Sequence, residues 1–217
     1  MSRALEFSQK EYDAAPRGAD VRVGPGEYLV QRARWSFAHA APPVLFSCME
    51  KVMDSIELIH ENLARSEEIV LSRIEEMRGH CMVRSSAKGG GHTLWVLGHL
   101  AYIESMVIHH FMLGDANPLG DWEAMFDGAE VSVDAEVYVS FDRALAECRA
   151  VRASTTSLLA TFDEADLDRV SAKAPQGTES LFGTYRRCFQ YSADHWLMHR
   201  GQLADARCAA GVNRMWY

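Results

Sequence analysis

The chain has 217 residues, 48% of them hydrophobic and 24% charged, which is the composition of a globular protein of one domain, with or without an appendage. A formal net charge of −8 argues against a nucleic-acid binder, which needs a basic stripe, and no run reaches the ~18 uncharged apolar residues of a membrane span. Five cysteines lie scattered without a CxxC pair, a pattern that predicts reduced thiols in the cytoplasm and disfavours a four-cysteine zinc site.

Residues 1–48 hold four of the six prolines and carry six basic and five acidic side chains, leaving 16 and 25 for residues 49–217. No helical or strand period survives there, so the segment is expected to be a disordered or loosely docked tail ahead of a domain at 49–217. Its prolines and acidic residues suit neither a secretory signal nor a transit peptide. A sharper expectation puts the natural start at Met49 or Met53.

Four helices follow. Val52, Ile56, Ile59, Leu63, Val70, Ile74 and Met77 recur at helical spacing among charges and predict a helix over 50–78. The glycine-rich stretch from Ser85 to Gly91 ends it, and Lys88 beside those glycines has the wrong order and spacing for a phosphate-binding loop. A second, largely buried helix is predicted from Thr93 to Leu113. Residues 114–134, with Pro118 and three glycines, read as a loop with one turn at Asp121 to Phe126. A third helix is expected over 135–162 and a fourth from Glu179 to Ala210, stopped by Gly211. The fold class is therefore all-α, a four-helix bundle. The long connection between helices two and three implies a crossover rather than a tight turn.

The candidate chemistry lies on histidines. His195 and His199, in HWLMHRGQL, stand at i and i+4 on the fourth helix, one turn apart on one face, which suits chelation of a single divalent ion. Gln202 shares their stripe and could orient His199 or serve structure alone. Leu181, Thr184, Cys188, Tyr191 and Ala206 also fall on it, so the stripe should face the core. Two imidazoles in a core are costly unless each is neutral and bonded. A third ligand is expected from the second helix, where His92, His99 and His110 share a face. His99, set deepest in the apolar run, is the choice; His92, at the glycine-rich end, should be exposed. Glu104 lies roughly 140° round the helix from His99 and is rejected as a ligand. His109 points away from the stripe, Arg200 suits a salt bridge, Cys188 a resting core thiol, and Glu57 with His60 a surface charge pair. Tyr102 and Tyr191 are candidates for the cavity edge, or simply core.

WVLGHL followed about a hundred residues later by HWLMHRGQL resembles the DinB superfamily, which includes YfiT-like metal-dependent hydrolases. The resemblance covers residues of about 50 to 212. It implies a four-helix bundle of up-down-down-up topology, with a divalent metal (zinc, nickel or iron) held by His99, His195 and His199. It further implies an enzyme of thiol S-transferase type, with a small thiol or water as nucleophile and a thiol such as bacillithiol or mycothiol as cosubstrate. A metal-dependent hydrolase, or a non-catalytic stress-response protein that binds metal or a small ligand, are the alternatives. The expected partner is a small molecule rather than nucleic acid or membrane, and the resemblance is compatible with a homodimer.

Overall fold

A computed structural model describes residues 53–85, 90–127 and 131–212, and among these the chain is all-helical. The expected tail at 1–48, Lys88, and most of the glycine-rich loop lie outside the described residues.

Helix α1 (Ser55–Glu76) starts at a capping box, with Asp54 accepting from the Glu57 backbone while the Glu57 carboxylate takes the Asp54 N–H. Glu57 is thus committed to the helix start. Ile59, Leu63, Val70 and Ile74 form its buried stripe.

Helix α2 (Thr93–Ser105) is buried all round except at His99. It continues into a π-helical segment, Met106–Leu113. The combined Thr93–Leu113 stretch is long and apolar enough to cross a membrane by length and composition, yet 67% of its most apolar window is buried inside the protein. The segment ends at Gly114, whose φ of 83° is left-handed. There the Gly114 and Asp115 N–H groups bond the His110 and His109 carbonyls. A side chain at 114 would also meet the Ala172 Cβ at 2.9 Å.

The connection that follows contains a short turn at Gly120–Trp122 running into α3 (Glu123–Phe126), where the sequence predicts a turn. Helix α4 (Phe141–Leu159) begins six residues later than the periodicity predicts, because Tyr138 is extended and Ser140 supplies the N-cap. The expected fourth helix is two. α5 (Glu179–Phe182) stops at Gly183, and α6 (Tyr185–Ala209) restarts from Thr184, whose side chain caps it. The backbone of Thr184 is extended and bridges to Val170, a tertiary pairing that breaks the helical run. Leu181 therefore leaves the α6 stripe and is 47% exposed.

Helix α1 packs along α6 and α2 along α4, and further contacts join α2 to α6 and α1 to α4. All four meet at one buried polar hub. The Arg152 guanidinium of α4 donates to Glu104 Oε2 of α2 at 2.7 Å, to Leu63 O and Ser66 Oγ of α1, and to Ser192 O of α6. Trp196 of α6 donates its indole N–H to the same Glu104 oxygen at 2.7 Å and lies under the guanidinium at 4.1 Å. Charges are tolerated at this depth only when paired and hydrogen-bonded, and the Glu104 Oε2–Arg152 pair is both.

Candidate metal centre

The α-helical turn between His195 and His199 brings their Nε2 atoms to 3.1 Å. His99 arrives from α2, with its ring centroid 5.1 Å from that of His195 and 4.9 Å from that of His199. One ring nitrogen from each of the three lies within 4.8 Å of the others. Nitrogens bound to one tetrahedral ion at about 2.0–2.1 Å stand roughly 3.3 Å apart, a spacing the His195–His199 pair has at 3.1 Å, with the His99 nitrogen no more than 4.8 Å from either.

Two hydrogen bonds orient the rings. His99 Nδ1 lies 2.7 Å from the Phe126 carbonyl. A carbonyl only accepts, so Nδ1 carries the proton and Nε2 keeps its lone pair. His199 Nδ1 bonds the Gln202 side-chain oxygen at 2.9 Å, which leaves the His199 Nε2 lone pair facing His195. Gln202 thus holds His199, as the stripe allowed. Such outer partners fix the tautomer and raise the basicity of a ligating imidazole.

Aromatic rings pack against the imidazole faces of His99 and His195. Trp95 stacks on His99 with centroids 4.4 Å apart, Tyr191 stacks on His195 at 5.4 Å, and Phe182 meets Tyr191 edge-on at 4.6 Å. Two glycines make room for this. A side chain at Gly91 would sit 2.4 Å from the Trp95 ring, and one at Gly98 would sit 2.2 Å from the Phe126 ring.

Burial keeps the trio neutral. Desolvation, with the neighbouring His199, pushes His99 down to about 4, and desolvation likewise depresses His195 and His199. Neutral imidazoles are the form that ligates.

The other candidates separate cleanly from this cluster. His92, expected to be exposed, is fully buried: its Nδ1 accepts from the Trp95 N–H to cap α2, and its Nε2–H donates to Ser132 O at 3.0 Å. His99, expected to be deepest, is instead the residue of α2 not sealed by its neighbours. His110 donates to Asp115 O. Cys188 is a core thiol, pushed up to about 11 by burial and bonded to Ser171. Tyr102 is buried in the core, its phenol pushed up to about 12 by desolvation and by Asp127 and Glu123. Glu104 is turned away into the polar hub, as its angle from His99 requires. Sequence reasoning did not find Phe126, whose ring fills the space that Gly98 leaves on α2.

A family model described as the DinB superfamily matches residues 6–203. The chain belongs to the DinB superfamily. The DinB match takes in all three histidines, and it begins ahead of the region of about 50–212 on which the motif resemblance rests. No curated protein matches the sequence.

Proposed function

We propose that this DinB-superfamily protein is a metal-dependent enzyme in which His99, His195 and His199 hold one divalent ion through their Nε2 atoms. The observation that carries the reading is the convergence of one nitrogen from each of three neutral rings within 4.8 Å. Two of the rings have Nδ1 already committed to an oxygen partner. One buried and two half-buried imidazoles, two of them with Nδ1 bonded to oxygen and Nε2 left to the cluster, have no apolar rationale, whereas a common ligand satisfies all three together. The donor set suits zinc, nickel or iron.

Three protein ligands leave at least one coordination position for water or substrate, as catalytic sites do. A divalent ion bound there supplies Lewis acidity that makes a small thiol or water a nucleophile near neutral pH. The protein's part is to hold the rings through Phe126 and Gln202 and to shield their faces with Trp95 and Tyr191. Thiol S-transfer is the favoured reaction. Hydrolysis, or ligand storage without turnover, are the competing outcomes. The same reading places α1, α2, α4 and α6 as the four members of an up-down-down-up bundle behind a tail at 1–48. It also makes the protein cytoplasmic and leaves a homodimer as its candidate assembly.

The experiment is metal quantification on purified full-length protein and on His199→Ala, followed by a panel of small thiols and electrophilic acceptors with and without added metal. Near-stoichiometric metal in the parent, its loss in the variant, and turnover that disappears with it are expected. Less than ~0.2 equivalents in the parent after growth in metal-replete medium would sink the site. Retained metal with no turnover would favour storage.

A further inference from the structure

We propose that the connection between α2 and α4 is a working part of the metal centre, with Phe126 the positioning residue that fixes the tautomer of His99 and Gly98 kept bare to admit the Phe126 ring. The tautomer claim stands on the fold alone; its consequence for metal affinity rests on the three-histidine reading.

The geometry runs in one direction. Phe126 is fully buried, with its ring against Gly98, one residue before His99, at a spot where a Cβ would stand 2.2 Å away. Trp122 and Tyr138 flank the ring at 5.1 and 5.5 Å. Because the ring is clamped, the carbonyl of the same residue is delivered to His99 Nδ1 at 2.7 Å. That carbonyl ends the four-residue α3, where helical carbonyls run out of intrahelical N–H partners. The other shoulder of the connection is tied down independently: Ser132 O accepts from His92, and Tyr138 meets the His92 ring edge-on at 5.1 Å. The connection is therefore anchored to α2 by two imidazole N–H groups seven residues apart. One of them belongs to the ligand itself. An Nδ1–H pinned by a carbonyl leaves Nε2 as the acceptor, and outer-sphere partners of this kind are worth about 10–100-fold in metal affinity.

The test compares three variants of the full chain. Gly98→Ala puts a methyl into the Phe126 ring, and Phe126→Leu keeps the carbonyl while loosening its clamp. Gly201→Ala is the control, since Gly201 lies two residues from His199 on α6 with nothing within 4 Å of an added Cβ. Imidazole nitrogen NMR on metal-free protein reads the His99 tautomer, and titration with zinc alone reads affinity. Gly98→Ala is expected to lose the single Nδ1–H tautomer and to weaken zinc binding about 10–100-fold. Phe126→Leu should do the same to a smaller degree, and Gly201→Ala should leave both unchanged. A folded Gly98→Ala protein with the parental tautomer and affinity overturns the proposal. If Gly98→Ala does not fold, Phe126→Leu decides in its place: an unaltered His99 tautomer there overturns it equally. A lower melting temperature with tautomer and affinity intact would mean that Phe126 serves packing alone. Should the parent bind no zinc, the metal reading fails, while the NMR arm still decides whether Phe126 sets His99.

Discussion

His92 and His99 lie seven residues apart, at the cap and in the body of α2, and both give a ring N–H to a carbonyl of the connection that follows that helix. They differ in the second nitrogen. At His92 it accepts the Trp95 backbone N–H, so the ring is saturated and closes a helix start. At His99 the second nitrogen keeps its lone pair and faces two more histidines from α6. The two imidazoles share a residue type, a helix and a carbonyl partner, yet one is a structural fastener and the other a candidate ligand. What separates them is only whether a backbone N–H or another helix's histidines occupy the remaining nitrogen.

The comparison holds only while α2 and α6 stay in register, and the Glu104–Arg152–Trp196 hub sets that register. Glu104→Leu strands the buried Arg152 guanidinium, with an expected loss of about 3–5 kcal/mol in chemical denaturation. The double variant Glu104→Leu/Arg152→Met removes both charges and should recover most of that loss. If the single variant costs under about 1 kcal/mol, the hub is not what holds the two helices together.

The two histidines themselves should separate in metal affinity rather than in stability. His99→Ala is expected to weaken metal binding by more than about 100-fold, beyond what an outer-sphere partner contributes, while the unpaired Phe126 carbonyl costs roughly 1–3 kcal/mol of apo stability. His92→Ala should leave affinity within about threefold while costing roughly 1–3 kcal/mol, from the lost cap and the unpaired Ser132 carbonyl. Isothermal titration and urea melts on both variants would expose any exchange of roles.

Acid should act on the shared property, which is neutrality. Burial lowers the pKa of His99 to about 4 and also depresses His92, His195 and His199, against about 6.5 in an unfolded chain. Above pH 6.5 both states are neutral and the stability is complete. As the pH falls from 6.5 toward 4, the unfolded chain binds protons that the folded protein refuses. Apo stability should therefore drop, with a slope approaching about 1.4 kcal/mol per pH unit for each such imidazole. Urea midpoints that are flat between pH 6.5 and 5 would contradict this. Metal should be held somewhat further into acid than ordinary imidazoles allow, because the protons competing for these nitrogens bind them poorly.

Local chemistry made much of this protein legible. The helix over Thr93–Leu113 and the turn near Asp121 to Phe126 followed from apolar runs, glycines and Pro118. The pairing of His195 with His199 followed from the pitch of a helix, as did the exclusion of Glu104 as a ligand. Legibility failed wherever a partner distant in sequence decided the outcome. Apolar surroundings suggested that His99 was deepest, but the depth of a residue depends on what covers it, and Tyr138 and Ser132 close over His92 instead. Helical spacing carried the last helix through Gly183, but Thr184 pairs with Val170 and starts a new one. Nothing in the local pattern of α4 sets Arg152 apart from Arg143 and Arg149, and only contacts from three other helices make it a core residue.

By itself, then, the sequence determined the all-α class, the approximate helix spans and the two i, i+4 imidazoles, because these depend on neighbours within one or two turns. The sequence also named His99 as their third member, but only the tertiary structure brought its ring beside theirs, buried His92 elsewhere, and set the Phe126 carbonyl on the His99 ring. Those outcomes turn on which oxygen or nitrogen a fold brings to within 3 Å of each imidazole, and helical periodicity carries no information at that distance.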